Sequence, residues 1–447
     1  MMNTIIELSR YSMTFAFVVA IYILVAIGIG LKKKDKRYIE SGYKGLYLIC
    51  FFFTFSSLGM ISAFVNDQFQ IAYVASYSER ALPTFYKVTG LWAGQDGSIL
   101  FWGWLLSLFG AIVIYQNRKD FIHLYLPYVA MIIAVTELLF LVLSVFVIPP
   151  FALTSQIPFD GNGLNPLLQN PGMVFHPPTL YIGFVGMTIP FAFAMAALIT
   201  GELDSWWIQK TRRWTIFSWS FLSLGVILGG WWAYRELGWG GVWAWDPVEN
   251  SSFMPWLTST AYLHSVMIQE RRNMLKVWNM VLILSTFSLT IFGTFLTRSG
   301  VVSSVHAFGQ SSVGWTFLGF LIIILAFGIY FISIRYKTLR EQDNKLDSLL
   351  SRESTFLYNN LILVGITFSV FWGTVFPIIA EAVKGVRTSV GPPFFNTVNA
   401  PLFLILLIIM GICPLIGWRS SSWQKLKRLF AYPTILMILS LPTLIFL

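Results

Sequence analysis

Apolar runs near the ~20 residues that cross a hydrocarbon core recur along this chain. They fall at roughly 12–31, 45–65, 98–116, 125–148, 179–200, 214–233, 255–269, 277–296, 314–334, 358–377, 401–417 and 429–447. The pattern predicts an all-α, polytopic bundle of about twelve membrane helices, with the seventh run short and the last two the weakest. Between the runs lie five longer polar or aromatic stretches, near 66–97, 149–178, 234–254, 297–313 and 378–400. No internal repeat or low-complexity linker interrupts them, so residues 1–447 are expected to form a single membrane domain.

Composition agrees. Hydrophobic residues make up 56% of the 447 and charged residues 11%, with a mean hydropathy of +0.70; soluble domains carry about 25% charged residues. Placing the N-terminus outside leaves only Arg10, Arg80, Lys87, Arg235, Arg298, Lys384 and Arg387, of 30 Lys and Arg, on the outer side. The positive-inside rule therefore sets the expected orientation. It also accounts for the net charge of +10 as basic inner loops facing anionic lipid, with no call for nucleic acid. The first run is too long for a signal-peptide core, and Lys32 to Lys34 follow it directly, so it is expected to stay as a helix. Cys50 and Cys413 fall in separate apolar runs and make no CxxC pair, so the chain offers neither a redox pair nor a thiolate metal site.

The uncharged, aromatic and glycine-rich material sits on the expected outer face. Six of the 18 Trp lie between Trp231 and Trp256, in WWAYRELGWGGVWAWDPVENSSFMPW. Interfacial belts scatter Trp along helix ends; this density points to a flat aromatic ligand, with a porphyrin as the best candidate. Within the segment, Asp246-Pro247-Val248-Glu249 has the form of a helix start, with Asp as N-cap, Pro first and Glu third. Capping is therefore the expected task of Asp246 and Glu249. Trp239, Trp243 and Trp245 are the expected platform.

The four histidines can be weighed singly. His123, beside Arg118 and Lys119, is expected to be a surface residue. His176 and His306 lie in outer loops on either side of the Trp-rich segment and are candidate axial ligands to haem iron. His264 follows Pro255 by nine residues, about 14 Å along a helix, near the bilayer middle, where an ionisable group is a functional candidate. It is expected either to bond a neighbouring helix or to hold a second haem. Arg298 is a possible partner for a propionate.

Several stretches together resemble one family. They are ALPTFYKVTGLWAGQDGSILFW (81–102), GNGLNPLLQNPGMVFHPPTLYIG (161–183) and ELGWGGVWAWDPVENSSFMPWL (236–257), followed by GTFLTRSGVVSSVHAFG (293–309), SRESTFLYNN (351–360) and VGPPFFN (390–396). The chain resembles the CcmF/NrfE family of cytochrome c-type biogenesis proteins, whose WWD segment handles haem. The resemblance implies a haem lyase component that binds haem b at the outer membrane face and promotes its attachment to the CxxCH of apocytochrome c. It also implies His176 and His306 as outer-face iron ligands, and His264 as one ligand of a second, intramembrane haem b. The implied partners are the haem chaperone CcmE, CcmH/CcmI-type proteins and apocytochrome c. The implied location is a bacterial inner membrane or the mitochondrial inner membrane, with the N-terminus and WWD segment on the periplasmic or intermembrane-space side. Members usually continue further, and no histidine follows His306 here. The expectation is therefore either a short or split form, with a separate C-terminal part as a further partner, or a b-haem site that is altered or absent. Gln95-Asp96 stands where the family tends to have His-Glu, and is given no ligand role. The alternative readings are a non-catalytic haem carrier or exporter of the WWD type and a solute transporter. The transporter is disfavoured by the absence of repeated halves.

Overall fold

The structure is a computed structural model that describes residues 2–119, 125–238, 240–302, 304, 313–341, 348–349, 351–385, 388–417 and 423–445. Among these, regular structure is helical: α1 (Met2–Lys33), α2 (Lys36–Val65), α3 (Ala72–Tyr77), α4 (Thr84–Ala93), α5 (Gln95–Gln116) and α6 (Tyr125–Val142). There follow α7 (Pro171–Gly186), α8 (Thr188–Thr200), α9 (Trp206–Glu236), α10 (Pro247–Arg272) and α11 (Lys276–Ser299). The last four are α12 (Val313–Glu341), α13 (Arg352–Lys384), α14 (Pro392–Ile412) and α15 (Trp423–Ile445). Only a lone bridge, Ile71 to Leu153, has β character among the described residues.

By length and composition, ten helical stretches among the described residues can cross a membrane, with α7 and α8 counted as one. The chain is a multi-pass membrane protein, and ten of the expected twelve runs lie on such stretches among the described residues. Two runs account for the difference. The run 255–269 lies on α10, whose Ser, Thr, Gln, Glu and Arg residues make it too polar to count. The run 429–447 lies on α15 and extends past the described residues.

The chain gathers into two compact units, one of Met1–Ser259 with Ile283–Tyr336 and one of Thr260–Leu282 with Lys337–Leu447. In the first, α7 and α9 pack antiparallel through small residues. A Cβ on Gly183 or Gly225 would meet the opposing backbone at Leu222 or Leu180, and one on Gly186 would meet Ser218. Without a hydrophobic drive between helices in lipid, such close backbone approach supplies the packing energy.

The connections between α2 and α7 are fastened by polar contacts. Lys87 Nζ reaches Asp67 at 2.6 Å. The Arg80 backbone N–H donates to Asp160 Oδ1 at 2.9 Å, and its guanidinium lies between the rings of Phe69 and Phe159. These N–H bonds, from Arg80 and from Gly161, hold the Asp160 carboxyl below its ordinary range. The buried Tyr73 hydroxyl donates to Gly90 O at 2.8 Å and accepts from Gly94 N–H at 2.9 Å, tying α3 to the start of α5.

In the second unit, Arg272 at the end of α10 pairs with the fully buried Glu353 at the start of α13, at 3.0 Å. Ser351 caps α13 by accepting from Ser354 N–H at 3.1 Å.

Candidate haem-binding cavities

His176 was expected in a loop; it lies inside α7. Asn170 caps that helix, which starts at Pro171, eight residues before the apolar run expected at 179–200, its side chain accepting from Gly172 N–H at 2.7 Å with Pro171 at the first position. Pro177 and Pro178 then sit within the first turns. A proline cannot donate to the carbonyl four residues back, so Pro177 leaves Met173 O without a helical donor. The indole N–H of Trp92 donates there instead, at 3.4 Å.

The His176 ring packs against α9. Its Nδ1 lies 2.8 Å from Gly225 O. A carbonyl can only accept, so Nδ1 carries the hydrogen and, in the neutral ring, Nε2 carries the lone pair. This is the arrangement that second-shell partners impose on metal-binding histidines.

His176 opens onto a solvent-open cleft in the first unit, with about 970 Å³ of empty space including its mouth. Trp92, Trp102, Tyr181, Phe184 and Trp232 form its aromatic walls. Arg298, near the end of α11, faces the same space, its Nη2 donating to Ser98 Oγ at 2.6 Å and to the Tyr181 hydroxyl at 3.2 Å. The fold therefore brings His176 and Arg298 to one cavity. His306 and Trp239 lie outside the described residues, as does His123.

Trp243 and Trp245 are not on the walls of this cleft. They meet edge-to-face, with ring centres 6.0 Å apart, and both touch Phe253, which stacks on Trp256. This cluster sits on the start of α10, whose Val248, Ser251 and Ser252 do line the cleft. The helix starts as its sequence predicts. Asp246 Oδ1 accepts from Val248 N–H at 2.9 Å, and Glu249 reaches back to Asp246 N–H at 3.0 Å. Glu249 also accepts from Ala244 N–H at 3.0 Å. Trp245, between those two donors, adopts a φ of 58°.

Trp92, Trp102, Tyr181, Phe184 and Trp232 were missed as wall residues. The stretch 81–102 had been singled out as a whole, but nothing in its residue spacing says which side chains turn toward α7.

A second cavity, with about 690 Å³ of empty space, lies within the second unit. His264 lines it, with its ring stacked on Phe356 (centres 5.3 Å apart) and its Nδ1 2.8 Å from the Asn359 amide. A carboxamide can present either its NH₂ or its oxygen to the ring. The same neighbour thus serves a histidine bonded to an adjacent helix and one that offers Nε2 to a metal. Arg352, Met410 and Cys413 complete much of the wall.

Comparison with known proteins places these features in a family context. Residues 92–306 match the family described as cytochrome C assembly protein, a range that runs from Trp92 past Arg298. The chain is 39% identical to the cytochrome c-type biogenesis protein CcmF of Escherichia coli, over 93% of this chain and 64% of that protein. It is 39% identical to CcmF of Pseudomonas aeruginosa, over 88% and 60%. It is 37% identical to the biogenesis protein NrfE of Haemophilus influenzae, over 91% and 64%. A solved structure of the cytochrome c heme lyase CcmF superposes with a TM-score of 0.76 at 29% identity, covering 94% of this chain and 63% of that one. The chain spans somewhat over three-fifths of the length of these relatives.

Proposed function

Because the chain belongs to the CcmF/NrfE family of cytochrome c-type biogenesis proteins, we propose that it works in cytochrome c maturation, binding haem at the outer membrane face and promoting its covalent attachment to the CxxCH of an apocytochrome c. The observation that carries this reading is His176, with Nδ1 held on Gly225 O, opening onto an aromatic cleft that also contains Arg298.

Haem is here a substrate. Each thioether forms when a thiol adds across a vinyl group: sulfur bonds one vinyl carbon, the thiol proton goes to the other, and no electrons leave. Neither Cys50 nor Cys413 lines the cleft, so both thiols come from the CxxCH. The chain's contribution is to hold the reactants, which is worth several kcal/mol of barrier when the geometry is right. His176 and His306 offer imidazoles to the iron, and the substrate's own histidine displaces one of them at the end. Arg298 pairs with a propionate. The Trp239, Trp243 and Trp245 indoles shield the macrocycle from lipid and water.

The second cavity suits a resident haem b: His264 supplies an imidazole, Phe356 a flat apolar wall and Arg352 a cation. Such a group, when bound, would pass on to the substrate iron an electron taken from an external donor, keeping that iron reduced. Delivery of haem by CcmE and of the apoprotein by CcmH/CcmI-type partners, at a bacterial or mitochondrial inner membrane, completes the reading.

The test is haem attachment to a CxxCH reporter in cells carrying this chain with its partners. His176→Ala and His306→Ala are each expected to abolish the covalent product; unchanged product in both would refute the ligand assignment. A wild-type chain that binds haem yet yields no covalent product would instead identify a carrier.

A further inference from the structure

Four residues apart on α9, Gly225 and Gly229 form a shallow groove, and the His176 ring lies in it. The Gly225 carbonyl takes Nδ1–H at 2.8 Å. A Cβ built on Gly229 would stand 2.6 Å from Cε1, 3.0 Å from Nδ1 and 3.2 Å from Nε2 of the same ring. The imidazole therefore rests flat on the bare backbone of Gly229. Real Cβ atoms do not approach at 2.6 Å, so any side chain there must push the ring away. Swinging it out breaks the Nδ1 bond to Gly225 O, and with it the constraint that leaves the lone pair on Nε2. The opposite tautomer would set a nitrogen lone pair against a carbonyl lone pair at 2.8 Å.

We propose that Gly229 is a positioning residue for haem: its missing side chain and the Gly225 carbonyl together seat His176 so that Nε2 is the nitrogen presented to iron. The inference rests on the haem-binding reading above, and it adds a residue that touches neither iron nor porphyrin.

The experiment is a haemin titration of the purified chain in detergent, followed by the Soret and visible bands. Wild type is expected to give a low-spin spectrum. Gly229→Ala is expected to convert it to a high-spin or mixed spectrum and to weaken haemin binding about 10–100-fold, the scale of second-shell losses at metal sites. Added imidazole is expected to restore the low-spin bands in Gly229→Ala and in a His176→Gly variant alike, because the cleft itself is intact. Gly319→Ala, on α12 with open space around its Cβ position, is the control and is expected to match wild type. A Gly229→Ala protein with wild-type spectrum and affinity overturns the proposal while leaving the haem reading standing. A Gly229→Ala protein that binds poorly and is not rescued by imidazole also overturns it, since the glycine then serves packing alone. Absence of haemin binding by the wild type removes the functional reading and this inference with it.

Discussion

Glu249 holds Trp245 in a left-handed backbone conformation by accepting, on one carboxylate oxygen, the N–H groups of both residues that flank it. A non-glycine residue in that region costs about 1–3 kcal/mol and persists only where its surroundings over-determine it. Here the surroundings are the helix cap itself, with the Trp245 carbonyl further bonded by Asn250 Nδ2 at 3.1 Å. The capping box of α10 thus aims an indole as well as starting a helix.

Glu249→Ala is accordingly expected to release Trp245 and to cost about 1 kcal/mol of stability through the lost cap. Near-UV circular dichroism reads the indole cluster directly and should lose intensity. An unaltered aromatic spectrum would show that the cluster holds Trp245 without the carboxylate.

Arg298 is fixed by Ser98 and Tyr181 with its charge facing the cleft. Arg298→Gln is expected to lower affinity for haemin by about tenfold or more, as charge-assisted bonds contribute roughly 1.5–3 kcal/mol. The dimethyl ester of haemin, which lacks propionate charge, should bind wild type and Arg298→Gln alike. A difference for the ester equal to that for haemin would remove the propionate pairing.

The pair Arg272–Glu353 joins α10 to α13 with the carboxylate fully buried. Removing one partner of a buried pair leaves the other charge uncompensated, at a cost of about 3–5 kcal/mol. Arg272→Met is therefore expected to lower the unfolding midpoint in detergent sharply, and Arg272→Met with Glu353→Leu to recover most of the loss. No recovery in the double variant would place the cost in packing.

Asp160 closes the loop 149–165 onto Arg80, and the N–H bonds it accepts hold its pKa below the 3.8 of the free side chain. A group whose folded pKa is depressed stabilises the fold above its unfolded pKa and loses that contribution as pH falls through the folded value. The clasp is thus complete above about pH 4 and opens below it. Limited proteolysis by an acid-active protease should cut the loop faster as pH drops below 4 in wild type. In Asp160→Asn the rate should be high and flat.

The features legible in the sequence are those written in neighbouring residues. Runs of apolar residues marked the spans, and Asp246-Pro247-Val248-Glu249 marked the start of α10 to the residue. His176 was legible as a candidate, but its helix was not: the apolar run begins only at 179, whereas Asn170 and Pro171 start α7 ahead of the histidine. The run 255–269 lies on α10, whose polar residues keep that helix from qualifying as a span by length and composition.

Residue order alone determined that this is a membrane-embedded helical chain, which family it joins, and where one helix is capped. Which aromatic side chains share a cavity was decided only by packing. In a soluble helix the apolar face points to the core; in lipid both faces are apolar, because acyl chains solvate a Leu as well as a protein interior does. Periodicity then carries no signal for inside against outside. Contacts such as Arg298 with Ser98, 200 residues apart, and the gathering of His176, Tyr181 and Trp232 around one space are set by how the helices pack.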